Sequence, residues 1–390
     1  MVACFVNIER TSERSVFLFR GHKNQYRLAV NAVEVKVAKH SYRALIGGGL
    51  LASAGNAIKD VLSPARCALI SDTNVASRFG NQLLEKLTPA GYEATPITVS
   101  PGEQSKTLEQ VGQICDQMLA SGLDRESFVV GLGGGVIGDL GGFAAAVFQR
   151  GIPHVQIPTT LLAMVDSSVG GKTGVNARAG KNLIGSFHPP ALVIDDIDVL
   201  KTLPHRDLNQ GFAEIIKHAV IADAEMFQQL EDIDLGPSRT GTIEFAPLVR
   251  RNIEIKARVI ADDESDRKGE RALLNFGHTI GHAIERAANY HDIAHGEAVS
   301  LGMVAACGLS KKMAGLPDKD RDRVIDLLQK FQLPTQLPND FQRDKIFDAI
   351  KFDKKFSRGE VRFVVTPKIG SARLSSDVTM DDLRAAIYSL

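Results

Sequence analysis

The chain of 390 residues is 44% hydrophobic and 24% charged, the composition of an ordinary globular protein long enough for two domains with separate cores. Its 46 Lys+Arg balance 46 Asp+Glu, so net charge gives no reason to expect nucleic acid or an anionic membrane as partner, and any cationic site must be local. No apolar run approaches the roughly 18 residues of a membrane span, so a soluble protein is expected.

Residues 1–32 carry Arg10, Arg14, Arg20 and Arg27 but no continuous apolar core followed by a small-residue cleavage site, and read as an extension ahead of the first domain. A transit peptide, or a start placed too far upstream, would leave the same pattern. From Val33, short β-rich runs alternate with helical ones: VEVKVA and YRALIG, the helix GLLASAGNAIKDVL, CALISD, and the helix NVASRFGNQLLEKL. ATPITV follows, then a helix over about 107–121, FVVGLG, a helix over about 136–149, HVQIP and ALVID. This alternation predicts a parallel sheet covered by helices, an α/β domain over 33–199. Beyond about Leu200, QGFAEIIKHAVIA, PLVRRNIEIKARVIA, ALLNFGHTIGHAIERAANY, HGEAVSLGMVAACGLSKKM and RDRVIDLLQKFQ repeat apolar residues every three or four positions. They predict a mainly helical second domain over 200–390, with a small hairpin in VRFVVTPKIGSARLSS. Cys4, Cys67, Cys115 and Cys307 are scattered without CxxC spacing, which fits buried free thiols in a reducing, cytoplasmic setting.

Gly133-Gly134-Gly135-Val136-Ile137-Gly138 satisfies G-x-G-x-x-G, follows the strand FVVGL and opens a helix, the context in which backbone amides and the helix dipole hold a pyrophosphate. The acidic residue usual about 20 positions further on is missing, since no Asp or Glu lies between Asp139 and Asp166. Asp72, directly after CALIS, is the better candidate for ribose hydroxyls, with Glu103 and Lys106 close by if the strands are neighbours. A tight turn without ligand is the alternative on this motif alone.

His278, His282, His291 and His295 crowd into one segment with Glu285, Asp292 and Glu297. His278 and His282 share a helix face and could reach one ion, or divide the work between one ligand and one acid/base group. Glu214, flanked by Ala213, Ile215 and Ile216, needs a buried partner, either a divalent cation or Lys217 one turn on. Arg150, Lys172, Lys181, Lys217, Lys256, Arg271 and Lys354 recur beside glycines, asparagines and histidines and suggest a cradle for phosphate or carboxylate.

Together GGGVIGDLGGF, QIPTTLLAMVDSSVGGKTGVN, GKNLIGSFHPP, GFAEIIKH, LLNFGHTIGHAIE, HGEAVSLGM and FDKK resemble the 3-dehydroquinate synthases, members of the sugar phosphate cyclases, from about Val33 to the C-terminus. The resemblance implies a Rossmann-like α/β domain followed by a mainly α-helical, metal-binding one. It implies a carbon–oxygen lyase of the shikimate pathway that turns 3-deoxy-arabino-heptulosonate 7-phosphate into 3-dehydroquinate and phosphate, using NAD and Zn2+, with Co2+ as a substitute. By the same resemblance Glu214, His278 and His295 are metal ligands, which displaces the pair that spacing alone nominates, and His282, Lys172, Asn275 and Arg271 are catalytic. NAD would lie against Gly134, Gly135, Val136, Ile137, Gly138 and Asp139, with Asp72, Asn74, Glu103, Lys106, Thr159, Thr160, Lys172, Lys181 and Thr202. Substrate would meet Asp166, Lys172, Asn182, Lys217, Lys256, Arg271, Asn275, His282 and Lys354, with Arg150 reaching across a homodimer. Two departures stand out: ADDESDRKGE after Ile260 is one residue longer than the family pattern, with Asp266 or Arg267 where a glutamate is expected, and residues 1–32 have no counterpart. Other sugar phosphate cyclases, an aminodehydroquinate synthase included, a metal-dependent polyol dehydrogenase and a noncatalytic NAD-binding protein are the competing readings.

Overall fold

The computed structural model describes residues 31–37, 40–235, 243–262, 271–288, 293–351 and 362–390. Strands β1 (Asn31–Val37) and β2 (His40–Gly47) precede helix α1 (Ala54–Lys59) and strand β3 (Arg66–Asp72). Helices α2 (Thr73–Val75) and α3 (Asn81–Leu87) flank a π turn, and β4 (Glu93–Val99), α4 (Leu108–Ala120), β5 (Phe128–Gly133), α5 (Gly135–Val147) and β6 (His154–Pro158) continue the alternation. A hairpin, β7 (Lys172–Ala177) and β8 (Gly180–Phe187), leads to β9 (Leu192–Asp196). The helical half holds α6 (His205–Ala222), α7 (Ala224–Asp232), α8 (Phe245–Asp262), α9 (His278–Ala287), α10 (His295–Ala314), α11 (Asp318–Lys330) and α12 (Arg343–Lys351). It ends in the hairpin β10 (Phe363–Lys368) and β11 (Ser371–Ser375) and helix α13 (Met380–Tyr388).

The main sheet runs β1-β2-β9-β6-β5-β3-β4. All its pairings are parallel except β1 with β2, so the expectation of a wholly parallel sheet fails at that edge: only two residues separate these strands, enough for a hairpin turn and far too few for a crossover. The hairpin β7–β8 also escaped the sequence reading. From β3 the chain steps outward to β4 and then returns to β5 on the other side of β3, so strand order reverses between β3 and β5. Such a switch point opens a crevice at the carboxyl ends of the two strands, where Asp72 and Gly133 stand.

Asp195 on β9 departs from the apolar register around it. Its side chain is wholly buried beside its register partner Ile46, and neither carboxylate oxygen has a hydrogen-bond partner. Burial therefore pushes this carboxyl well above the usual carboxylate range. The folded protein keeps a proton that the unfolded chain releases above the ordinary carboxylate pKa, so this group lowers stability as pH rises from there toward its folded pKa. Asp195→Leu is expected to raise the unfolding free energy by roughly 1–3 kcal/mol at pH 8 and by less at pH 4, measured by urea melts. An equal gain at both pH values would count against a protonated Asp195.

Candidate active site

A cleft of about 1730 Å³ opens at the carboxyl ends of the central strands and is walled on its far side by residues of α6, α8, α9 and the start of α10. On the sheet side, helix α5 starts at Gly135 with no side chain capping its N-terminus, so its first amides face the cleft. A Cβ on Gly134 would stand 3.2 Å from Thr160 Cγ2, and one on Gly135 3.0 Å from Ser167 Oγ, so any larger residue at this turn would press on those side chains. Asp72 caps α2 by accepting from the amides of Asn74 and Val75 through Oδ1, which leaves its other oxygen for the cleft. Lys106 Nζ donates to Asp139 Oδ2 at 2.7 Å and to Asn182 Oδ1 at 2.5 Å, tying the helix to the β7–β8 hairpin. Burial raises the Asp139 carboxyl despite the neighbouring Lys106 charge.

On the helical side, Glu214 is completely buried on α6 beneath the cleft. Neither of its oxygens has a partner of good hydrogen-bond geometry, yet three groups of the opposite character surround it at ion-pair distance. Lys217 Nζ approaches Oε2, while His278 Nε2 and His295 Nε2 lie 3.3 and 3.4 Å from Oε1. Burial would raise the Glu214 carboxyl, but the Lys217 and His278 charges hold it well below the usual range. Burial likewise opposes the His295 imidazolium, but Glu214 and Glu285 outweigh it and push its pKa up to about 10. The ligand atoms of Glu214, His278 and His295 all lie within 4.8 Å of one another, so one carboxylate and two imidazoles converge as a set that would hold a divalent cation and leave it open to substrate oxygen. The residues fit such an ion, and the two readings of Glu214 merge, since it contacts Lys217 and both imidazoles. His282 takes no part in this group: its ring stands perpendicular to that of His278, 5.2 Å away, on the exposed edge of α9.

Between the two halves, Lys256 Nζ donates to Asp166 Oδ1 at 2.6 Å and to the Asp166 carbonyl at 2.5 Å. Burial alone would raise the Asp166 carboxyl, but the Lys256 charge takes it below the usual range. The basic side chains of Lys172, Lys181, Lys217, Lys256 and Arg271, with Asn275 and Asn182, all line the cleft, as do Val136, Ile137, Thr159 and Thr202. Three expected residues stand apart. Gly138 packs against Gln156, Glu214 lies under the floor, and Arg150 is outside the cleft altogether. Lys354, His291, Asp292 and residues 263–270 of the altered loop lie outside the described residues. Asn176 was not anticipated as a site residue, although it closes the motif QIPTTLLAMVDSSVGGKTGVN: it donates to Glu103 Oε1 at 2.8 Å and accepts from the Asn182 amide at 2.9 Å.

Residues 96–210 match the family model described as 3-dehydroquinate synthase N-terminal, and residues 211–356 match 3-dehydroquinate synthase C-terminal. The chain belongs to the 3-dehydroquinate synthase family. The 3-dehydroquinate synthase of Nostoc punctiforme is 42% identical over 364 residues, covering 92% of this chain and 99% of that protein. Among solved structures, the 2-epi-5-epi-valiolone synthase of Streptomyces hygroscopicus, with NAD+ and Zn2+ bound, superposes with a TM-score of 0.81 at 32% identity, covering 91% of this chain and 98% of its own. A 2-deoxy-scyllo-inosose synthase complexed with carbaglucose-6-phosphate, NAD+ and Co2+ gives 0.83 at 26% identity, covering 92% and 100%. These likenesses bear out the expected α/β domain with a helical partner. Among the described residues no helix is long and apolar enough to cross a membrane.

Proposed function

We propose that the cleft converts 3-deoxy-D-arabino-heptulosonate 7-phosphate into 3-dehydroquinate and phosphate, the 3-dehydroquinate synthase reaction of the shikimate pathway. The α5 turn would hold NAD, and Glu214, His278 and His295 would hold a divalent cation, Zn2+ or Co2+. The observation that carries this reading is one cleft bounded on one side by an uncapped helix N-terminus and on the other by two imidazoles gathered over a buried carboxylate, in a chain of this family. When bound, NAD takes up and returns hydride, while the cation acidifies the hydroxyl being oxidised.

The chain's own residues bind and orient. Gly134, Gly135, Val136, Ile137, Gly138 and Asp139 form the pyrophosphate turn, with Asp72, Asn74, Glu103, Lys106, Thr159, Thr160, Lys172, Lys181 and Thr202 around the remaining cofactor. Lys217 and Lys256 already face carboxylates, so their ammonium groups are held in place for substrate oxygens without a large rotamer cost. With Arg271, Asn275, Asn182, Lys172 and Lys354 they grip the phosphate and carboxylate of the substrate. His282, off the metal group yet in the cleft, serves the departing phosphate, which acts as base when a proton leaves the carbon beside the new ketone. Ring opening and aldol closure then need only that the released chain stay folded in the cleft.

Arg150 and Gln149 adopt left-handed backbone conformations, with φ of 73° and 50°. In this reading the strain presents Arg150 to the neighbouring cleft of a homodimer. The packed elements α4, α5 and the β7–β8 hairpin leave Leu119, Val147 and Phe187 exposed, an apolar surface that suits such an interface. The free thiols, Cys67 and Cys307 among them, favour the cytoplasm as the working compartment.

One assay tests the reading. Given the heptulosonate phosphate, zinc and substoichiometric NAD, the protein is expected to release inorganic phosphate over many turnovers while NADH absorbance stays flat. Accumulating NADH with a polyol, and no phosphate release, would instead identify a polyol dehydrogenase.

A further inference from the structure

The two imidazoles of the metal group are oriented by different means. His278 Nδ1 lies 3.2 Å from the Phe276 carbonyl, two residues back in its own chain, so its Nε2 is turned toward Glu214 by local backbone. His295 has no such support. Its Nδ1 lies 3.4 Å from Glu285 Oε2 on the neighbouring helix α9, and its Nε2 3.4 Å from Glu214 Oε1. Glu285 is only 2% exposed, and its second oxygen, Oε1, accepts from Lys181 Nζ at 2.8 Å. Lys181 stands on β8 of the hairpin, more than a hundred residues away in sequence. One buried carboxylate therefore touches a side chain of the metal group and a lysine of the sheet-side half.

We infer that Glu285 is a positioning residue that fixes His295 for the cation and, through Lys181, makes cofactor and cation strengthen each other. This rests on the cofactor and metal reading above. A rival role for Glu285 is that of a ligand, since its ligand atom lies within 4.8 Å of those of His282 and His295. The ammonium of Lys181 argues against it, because a divalent cation on Glu285 would face a like charge against the other oxygen of the same carboxylate. A carboxylate behind a metal-bound imidazole instead holds the Nδ1 proton, leaves the Nε2 lone pair for the ion and fixes the ring plane. A cofactor that holds Lys181 in place also holds Glu285, and through it His295. Linkage then requires that each ligand raise the affinity of the other by the same factor.

The test measures zinc dissociation constants by competition with a chromophoric chelator, with and without saturating NAD, on the wild-type protein, Glu285→Gln and Glu285→Asp. In wild type, NAD is expected to tighten zinc about fivefold or more. Glu285→Gln is expected to weaken zinc about 10–100-fold and to bring the NAD factor close to one. Glu285→Asp keeps the charge but, one methylene shorter, cannot reach both partners, so it should lose the NAD factor while retaining more zinc affinity than the glutamine variant. If Glu285→Gln does not fold, Glu285→Asp alone decides: an NAD factor equal to wild type overturns the proposal. A glutamine variant with the wild-type zinc constant, or a wild type whose zinc affinity ignores NAD, overturns it equally. Wild-type protein that binds no zinc would overturn the metal reading as well, which separates the two failures.

Discussion

Alanine at His278 is expected to strip the divalent cation from the protein and to lower turnover by about 1000-fold, the equivalent of about 4 kcal/mol of lost Lewis-acid stabilisation. Alanine at His282, one helical turn further on, is expected to leave metal content near one ion per chain and to lower turnover by about 100-fold, the scale of a lost proton-handling group. The contrast follows from where the two rings point. His278 Nε2 is 3.3 Å from the buried Glu214 carboxylate, whereas the His282 ring lies across it on the exposed edge of α9. Elemental analysis of dialysed variants, alongside phosphate release, checks both numbers. Full metal content in His278→Ala would move the ion to the His282, Glu285 and His295 group instead.

The contrast also marks how far the sequence could be read. Most strands and helices were legible because their apolar periods differ cleanly, and Gly134, Gly135, Asp72 and Lys106 line the cleft as their motifs suggested. Period alone left the histidines open: helical spacing puts His278 beside His282, whose rings stand 5.2 Å apart, and does not show that Glu214 gathers His278 with His295 from the start of the next helix. That choice is made by the crossing of α9 and α10, a tertiary fact no single helix encodes. The β7–β8 hairpin was hidden for another reason. Its strands interrupt the β-branched Thr173, Val175 and Ile184 with Gly174 and Gly185, because they pair so closely that a Cβ on Gly185 would stand 2.0 Å from the Thr173 carbonyl oxygen. Glycine kept for close approach looks like loop to a propensity argument. The unpartnered carboxyl of Asp195 was equally invisible, since a single Asp at the end of an apolar strand reads as the start of a turn.

Gly302→Ala is expected to destabilise the protein by about 3 kcal/mol, lower its melting temperature by several degrees and weaken zinc binding. Gly302 sits in the second turn of α10, against the N-terminus of α9, where a Cβ would stand 1.9 Å from the Gly277 carbonyl oxygen and 2.9 Å from the Gly281 amide nitrogen. Both obstacles are backbone, so the helices themselves must separate. His278 is the first residue of α9 and His295 the first of α10, so separation pulls the two imidazoles away from their common focus. Gly277 cannot yield by refolding its turn, because its φ of 77° already holds the left-handed conformation that starts α9. Helix propensity works the other way, favouring alanine over glycine by about 1 kcal/mol. Gly308→Ala, two turns nearly further along the same helix with nothing within 4 Å of the new Cβ, isolates that gain and should hold or raise the melting temperature. If Gly302→Ala melts and binds zinc like Gly308→Ala, the close crossing of α9 and α10 is not what brings His278 and His295 together.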